Sequence, residues 1–296
     1  MVTVAIVNQK GGVGKTTVAL GLAAMAGRRG LSTVVVDLDP QANATSGMGV
    51  WEPAVTVDAA IASERPGALA EALVDSGWDP ALFVRVPRIV PSSPALAQRE
   101  PQLAMDPIGA QDRLAIAAEG LDADLVIIDC PPSLGLLTVN ALFAADKVAI
   151  VTEPGAWATD GVAQILRNVA RIADRRNGAL EIAGIVVNRV ARTRDARYWD
   201  DQLVEAHPEL VVRPAIRMRA AVAEASAASL PLHALDRDGV AAAIEEFDAV
   251  LAALLDEPVV LERFEPTGGG LFSGDSTVGS GDDTQVGELE AVHGEL

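Results

Sequence analysis

Short runs of β-branched and aliphatic residues alternate with longer Ala- and Leu-rich stretches over the first 255 positions. VTVAIVN (2–8), STVVVD (32–37), DLVIIDC (124–130), KVAIVT (147–152) and IAGIVVN (182–188) are apolar at successive positions. That is the pattern of strands buried on both faces. FVRVPRIV (83–90) reads as a further strand, assigned to a sheet edge because Pro87 removes a ladder donor. Helices are predicted near 15–29, 55–75, 109–120, 134–145, 160–177, 217–228 and 237–255. The alternation predicts an α/β fold, a doubly wound and mostly parallel sheet with helices on both faces. Ligands of such sheets sit beyond the carboxyl ends of the strands. From 256 to 296 the chain turns to Gly, Ser, Thr and acidic residues, too few apolar groups to order a segment. The expected organisation is one domain over 1–255 and a disordered tail over 256–296.

Composition narrows the function classes. Half of the 296 residues are hydrophobic, yet no run of 18 apolar residues predicts a membrane span. The start lacks the charged-then-apolar pattern of a secretory signal, and one cysteine, Cys130, excludes an internal disulfide framework. The expectation is a cytoplasmic protein. A net charge of −18 argues against nucleic acid as a partner, but its distribution does not. Residues 256–296 hold ten acids and one arginine, a net −9, whereas the stretch from Arg167 to Arg219 holds eleven arginines against seven acids. There are three lysines in all, and two of them, Lys10 and Lys15, flank one glycine run.

That run, NQKGGVGKTT (8–17), follows a strand and opens a helix. Its glycines let backbone fold around phosphate oxygens, and the helix start offers free N–H groups and a positive dipole end. Gly11, Gly12, Val13, Gly14, Lys15, Thr16 and Thr17 are therefore the candidate nucleotide cradle. Lys15 would reach the β- and γ-phosphates and the Thr16 hydroxyl a Mg²⁺. The ordinary pattern G-x-x-x-x-G-K-[ST] fails at its first glycine, where Gln9 stands, and a lysine follows directly at position 10.

K-G-G-V-G-K-T-T resembles the deviant phosphate loop of the ParA/MinD/Soj ATPases. The resemblance implies ATP and Mg²⁺ as cofactors and a homodimer formed on ATP binding. It also implies that Lys10 reaches across the dimer to the partner's nucleotide, stabilising transition-state charge as an arginine finger does. Two acid sites complete the picture. DLVIIDC runs four apolar residues into Asp129, a carboxylate placed to hold Mg²⁺ through water. VVVDLDPQANATSG sets Asp37 and Asp39 at the end of the second strand, pointing the same way if the strand continues. In the family the second aspartate, here Asp39, positions or activates the attacking water, which leaves Asp37 to support the Mg²⁺ shell. Cys130 reads as a small buried residue, and the three histidines form no metal or triad spacing.

The resemblance extends over about residues 2–255, through IVPSSPALAQREPQL (89–103) and the specific block DCPPSLGLLTVNAL (129–142). IVVNRV (185–190) is similar to the strand whose asparagine contacts adenine, which nominates Asn188, and RPAIRMRAAVAEASAASLPL (213–232) matches loosely. MinD-like relatives end in a basic amphipathic helix that lies on membranes, but here the end is acidic. Iron-protein relatives need more cysteines. The first strand begins near Val2, so no N-terminal helix-turn-helix is expected. The implied member is a Soj-like ParA partition ATPase, slow in turnover without a ParB-like centromere-bound partner. Its dimer would coat nucleoid DNA non-specifically. Arg167, Arg171 and Arg175 recur every four residues on one helix face, and Arg189, Arg192, Arg217 and Arg219 follow; these are the candidate phosphate contacts. Two alternatives stay open: an ATPase positioning a protein assembly, and a metabolic P-loop ligase or kinase.

Overall fold

The structure, a computed structural model, describes residues 1–255. The expected acidic tail lies outside the described residues. Seven strands form one sheet: β1 (Val2–Val7), β2 (Thr33–Asp37), β3 (Val74–Asp75), β4 (Arg88–Val90), β5 (Leu125–Asp129), β6 (Lys147–Thr152) and β7 (Glu181–Val187). Their order is β3-β4-β2-β5-β1-β6-β7, parallel throughout except that β3 pairs antiparallel with β4. All residues of β2, β5 and β6 are buried, as continuous apolar runs require.

Eleven helices connect the strands among the described residues: α1 (Lys15–Arg28), α2 (Asn43–Gly47), α3 (Val57–Ser63), α4 (Ala68–Ala72), α5 (Arg99–Leu103), α6 (Arg113–Ala117), α7 (Leu136–Ala144), α8 (Ala158–Arg175), α9 (Arg194–Ala206), α10 (Ala220–Ala227) and α11 (Val240–Leu255). One core joins Val4, Ile6 and Ile127 to α1 and α11. By strand alternation the other face takes α7 and α8, which lie against β1 and β6. Helix α1 approaches α11 closely because Gly21 has no side chain: a Cβ there would sit 2.4 Å from the Phe247 ring. Outside that contact Arg29 Nε donates to Asp248 Oδ1 at 2.7 Å.

Four expectations change. The strand expected over 83–90 is cut to Arg88–Val90, and it is internal; the edge is the two-residue β3. Pro87 lies ahead of the paired residues, so no ladder donor is lost. The helix expected over 55–75 is two helices, because Glu64 (φ 55°) and Gly67 (φ 76°) turn left-handed on either side of Pro66. The one expected over 109–120 shrinks to α6, since Asp106 accepts from the backbone N–H groups of Ile108 and Gly109 at 3.0 Å each and makes a turn there. The Arg-rich stretch 189–197, where no helix is expected, becomes helical from Arg194, started by Thr193, whose hydroxyl accepts from Ala196 N at 3.2 Å.

Candidate functional site

Three neighbouring strands deliver the site. In register, Ile6 of β1 faces Asp129 of β5, and Asp129 faces Asp37 of β2. Just past β1, Asn8 pins the glycine loop: its Nδ2 donates to Val151 O of β6 at 2.6 Å and its Oδ1 accepts from Lys10 N at 2.8 Å. Gly12 and Gly14 take φ of +83° and +87°, and Gly14 is the cap of α1. No side chain caps that helix start, so its N–H groups remain for an anion. Asn188, past the end of β7, donates Nδ2 to Val13 O at 2.9 Å; a Cβ at position 14 would stand 2.3 Å from that nitrogen.

Lys15 is buried, with Nζ 3.5 Å from Lys10 O. Burial lowers its pKa, opposed by the charges of Asp129, Cys130 and Asp39. Thr16 Oγ1 donates to Asp129 Oδ2 at 2.7 Å. Asp129 is fully buried, and its other oxygen, Oδ1, has no hydrogen-bond partner. Its pKa is pushed up to about 8, first by burial and then by the Asp37 charge, against the pull of Thr16 and Lys15. An orphaned carboxylate oxygen beside a hydroxyl fits Mg²⁺, which takes one or two protein ligands and leaves the rest to water and phosphate. In keeping with that, no group of three His, Cys, Asp or Glu among the described residues could hold a metal ion alone.

The second-strand pair divides. Asp37 Oδ2 accepts from Thr45 N at 2.8 Å and Thr45 Oγ1 at 2.7 Å, and its Oδ1 accepts from Asp39 N at 3.2 Å. Burial raises it to about 6, and it braces the turn rather than lining the open site. The strand ends at Asp37, and Asp39 lines the cavity from a turn, with Oδ1 accepting from Gln41 N at 2.9 Å. That cavity, about 710 Å³, is of ligand size. Gly11, Gly12, Gly14, Lys15, Thr16 and Thr17 form its floor, and Asn188 one wall. Val13 is buried behind it.

Lys10 points elsewhere. Its side chain is 63% exposed, and Nζ meets Glu153 Oε1 at 2.8 Å. Arg189, at a left-handed φ of 57°, stands 3.9 Å from the other Glu153 oxygen and donates Nη1 to Gly12 O at 2.6 Å. Glu153 was absent from the sequence reading; an acid directly after an apolar strand was its only signal. Glu246 was also missed. It holds both Nη atoms of Arg219 and accepts from Arg217 N at 3.0 Å. The candidate phosphate contacts thus separate: Arg189, Arg217 and Arg219 line the cavity, while Arg167, Arg171, Arg175 and Arg192 are exposed.

No helix among the described residues is long and apolar enough to cross a membrane. The chain matches the AAA domain family over residues 1–182. It is 38% identical to the sporulation initiation inhibitor protein Soj of Bacillus subtilis over 197 residues, 64% of this chain and 74% of that protein. To the chromosome-partitioning ATPase Soj of Thermus thermophilus it is 36% identical over 225 residues, 75% of this chain and 83% of the relative. To the chromosome partitioning protein ParA of Myxococcus xanthus it is 38% identical over 190 residues, spanning 62% of this chain and 63% of that one. Among solved structures, cobyrinic acid a,c-diamide synthase from Mycobacterium smegmatis with a bound ATP analog and magnesium superposes with a TM-score of 0.72 at 30% identity, over 86% of this chain and 94% of that one. McdA of Cyanothece gives a TM-score of 0.72 at 23% identity, a likeness of fold.

Proposed function

This chain belongs to the ParA/Soj family of partition ATPases, and we propose that it is a Mg²⁺-dependent ATP switch that loads onto DNA as a dimer. The observation that carries this is the set of groups around one phosphate-sized cradle. Lys15 and the free N–H groups of α1 would bind the phosphates, and Thr16 with the unpartnered Asp129 oxygen would hold Mg²⁺, which would supply charge neutralisation for the phosphates. Asp39, on the cavity wall, orients water for attack on the γ-phosphorus, yielding ADP and phosphate. Asp37 supports this shell indirectly, through the turn that carries Asp39. Asn188 contacts adenine from the wall it already forms. Lys10, exposed beside the loop, reaches the nucleotide of a second copy after leaving Glu153.

In this reading residues 1–255 are the ATPase domain and 256–296 an acidic tail. The dimer binds nucleoid DNA in the cytoplasm without sequence preference, through the exposed arginines of α8 and Arg192, with Arg189, Arg217 and Arg219 at the cavity rim. A ParB-like partner on a centromere site accelerates an otherwise slow hydrolysis and releases the dimer. Binding to random-sequence duplex, with ATP, ADP or no nucleotide across a salt series, tests it. Binding confined to ATP and weakening steeply with salt is expected; no binding in any state refutes the DNA role.

A second reading, a metabolic ligase, draws on the structural likeness to the diamide synthase. It requires turnover stimulated by a small carboxylic acid and indifferent to DNA. An ATPase that positions a protein assembly uses the same switch, and partner capture with the ATP-bound form separates it.

A further inference from the structure

Aromatic residues make up 3% of this chain, and there is a single tyrosine, Tyr198. It is not in the core. It stands 55% exposed on α9, whose buried side is Ala196 and Leu203. Its ring is held by a neighbour. Trp199 meets it edge to face, with centroids 4.9 Å apart and planes at 74°, and Trp199 Nε1 donates to Asp195 Oδ1 at 3.2 Å. An edge contact leaves more of a ring's face open than a stack does.

Arginines lie close to Tyr198 in sequence. Arg194 lies four residues before Tyr198 and three before Arg197, so helical geometry sets it beside both. Arg192 comes just ahead of the helix and is exposed, as are Arg194 and Arg197. None of these three arginines is in an ion pair among the described residues. Of the nearby acids, Asp200 pairs with Arg213 at 3.0 Å and Asp195 is turned to the indole N–H. Asp201, three residues after Tyr198 and four after Arg197, bounds the patch on the same surface. An exposed aromatic ring near unpaired guanidinium groups is the chemistry that holds an unpaired base by its π-face and its phosphates by charge. A duplex keeps its base faces stacked inside, so it meets the arginines and not the ring.

We propose that Tyr198, flanked by Arg192, Arg194 and Arg197, is a stacking site for the bases of single-stranded nucleic acid. The proposal shares with the proposed function the class of polymer and Arg192, but it rests on the ring, which the phosphate contacts of duplex coating do not need.

The test is fluorescence anisotropy with oligo-dT of about 20 nucleotides, longer than one such site spans, and with a duplex of equal length. Native protein, Tyr198→Ala and Tyr198→Phe are compared, each in ATP. Tyr198→Ala is expected to weaken oligo-dT binding about 5- to 160-fold, the worth of one stacked base, with Tyr198→Phe close to native. Duplex affinity should move less than about 2-fold, as phosphate contacts are kept. Unchanged oligo-dT binding in Tyr198→Ala overturns the proposal. So does an equal loss on both polymers, which would make the ring a support for the arginines. A loss of self-association with no change on either polymer would make the patch a protein contact and likewise overturn it. The two readings fail separately: native protein that binds duplex but not oligo-dT refutes the stacking site alone, and the reverse refutes the DNA-coating role alone.

Discussion

Replacing Gly14 with alanine puts a methyl group where the Asn188 amide already is. The ideal Cβ would stand 2.3 Å from Nδ2, and φ at this position is +87°. Two costs follow. The left-handed backbone costs an alanine about 1–2 kcal/mol. Pushing Asn188 aside breaks its 2.9 Å bond to Val13 O and strands two buried polar groups, about 1–3 kcal/mol more. The sum, about 2–5 kcal/mol, lowers the melting temperature by about 4–20 °C for a domain of this size. Asn188→Ala alone forfeits the same bond, about 1–3 kcal/mol. In the double variant the bond is already gone and the methyl group meets open space, so the double should be no less stable than Gly14→Ala by itself. Urea unfolding of all four proteins closes the cycle. Costs that add within about 0.5 kcal/mol would mean that the two positions do not touch, and the reasoning about this loop would be wrong.

Asp37 and Asp129 hold protons to about pH 6 and about pH 8 in the fold but ionise near pH 4 once unfolded, so the fold binds the extra protons in that window. Stability of Mg²⁺-free protein should therefore be full below about pH 4 with respect to these groups and fall as pH rises to about 8; melting curves that rise with pH there, once Asp129→Asn has been used as the reference, contradict the assignment. Lys15→Ala should abolish ATP binding by calorimetry, since the cation nearest the cradle is lost, and near-native affinity would move the phosphates elsewhere. Lys10→Ala should bind ATP normally but fail to form ATP-dependent dimers in light scattering. Asp39→Ala should keep ATP, stop hydrolysis and remain dimeric; rapid return to monomer in ATP counts against its role with water.

How much of this was legible beforehand follows from where the information lies. Strands buried on both faces announce themselves as unbroken apolar runs, and so β1, β2, β5, β6 and β7 were placed within a residue or so. The loop was legible because its glycines, Lys15 and Thr16 are consecutive. Contacts between distant segments left no local trace. Lys10 and Glu153 are separated by 143 positions, and Arg189 folds onto Gly12 from 177 positions away. Arg189, Arg217 and Arg219 therefore read like any other basic residues, although the fold turns them to the cavity. Helix α9 was masked by its charge: its narrow apolar stripe, Ala196, Trp199 and Leu203, lies among arginines and aspartates, and the Thr193 cap marks its start.

The sheet order has a consequence for synthesis. Strand β1 is made before its neighbours, for it sits between β5 and β6. Neither neighbour exists until residues 125–152 have left the ribosome. At roughly 5–20 residues per second, β1 waits on the order of ten seconds with both edges bare. An apolar strand in that condition is a template for wrong pairing. The phosphate loop is therefore the first part of the site to be translated and among the last to be usable. Nucleotide can steady the completed domain, but it offers the nascent chain nothing during that interval.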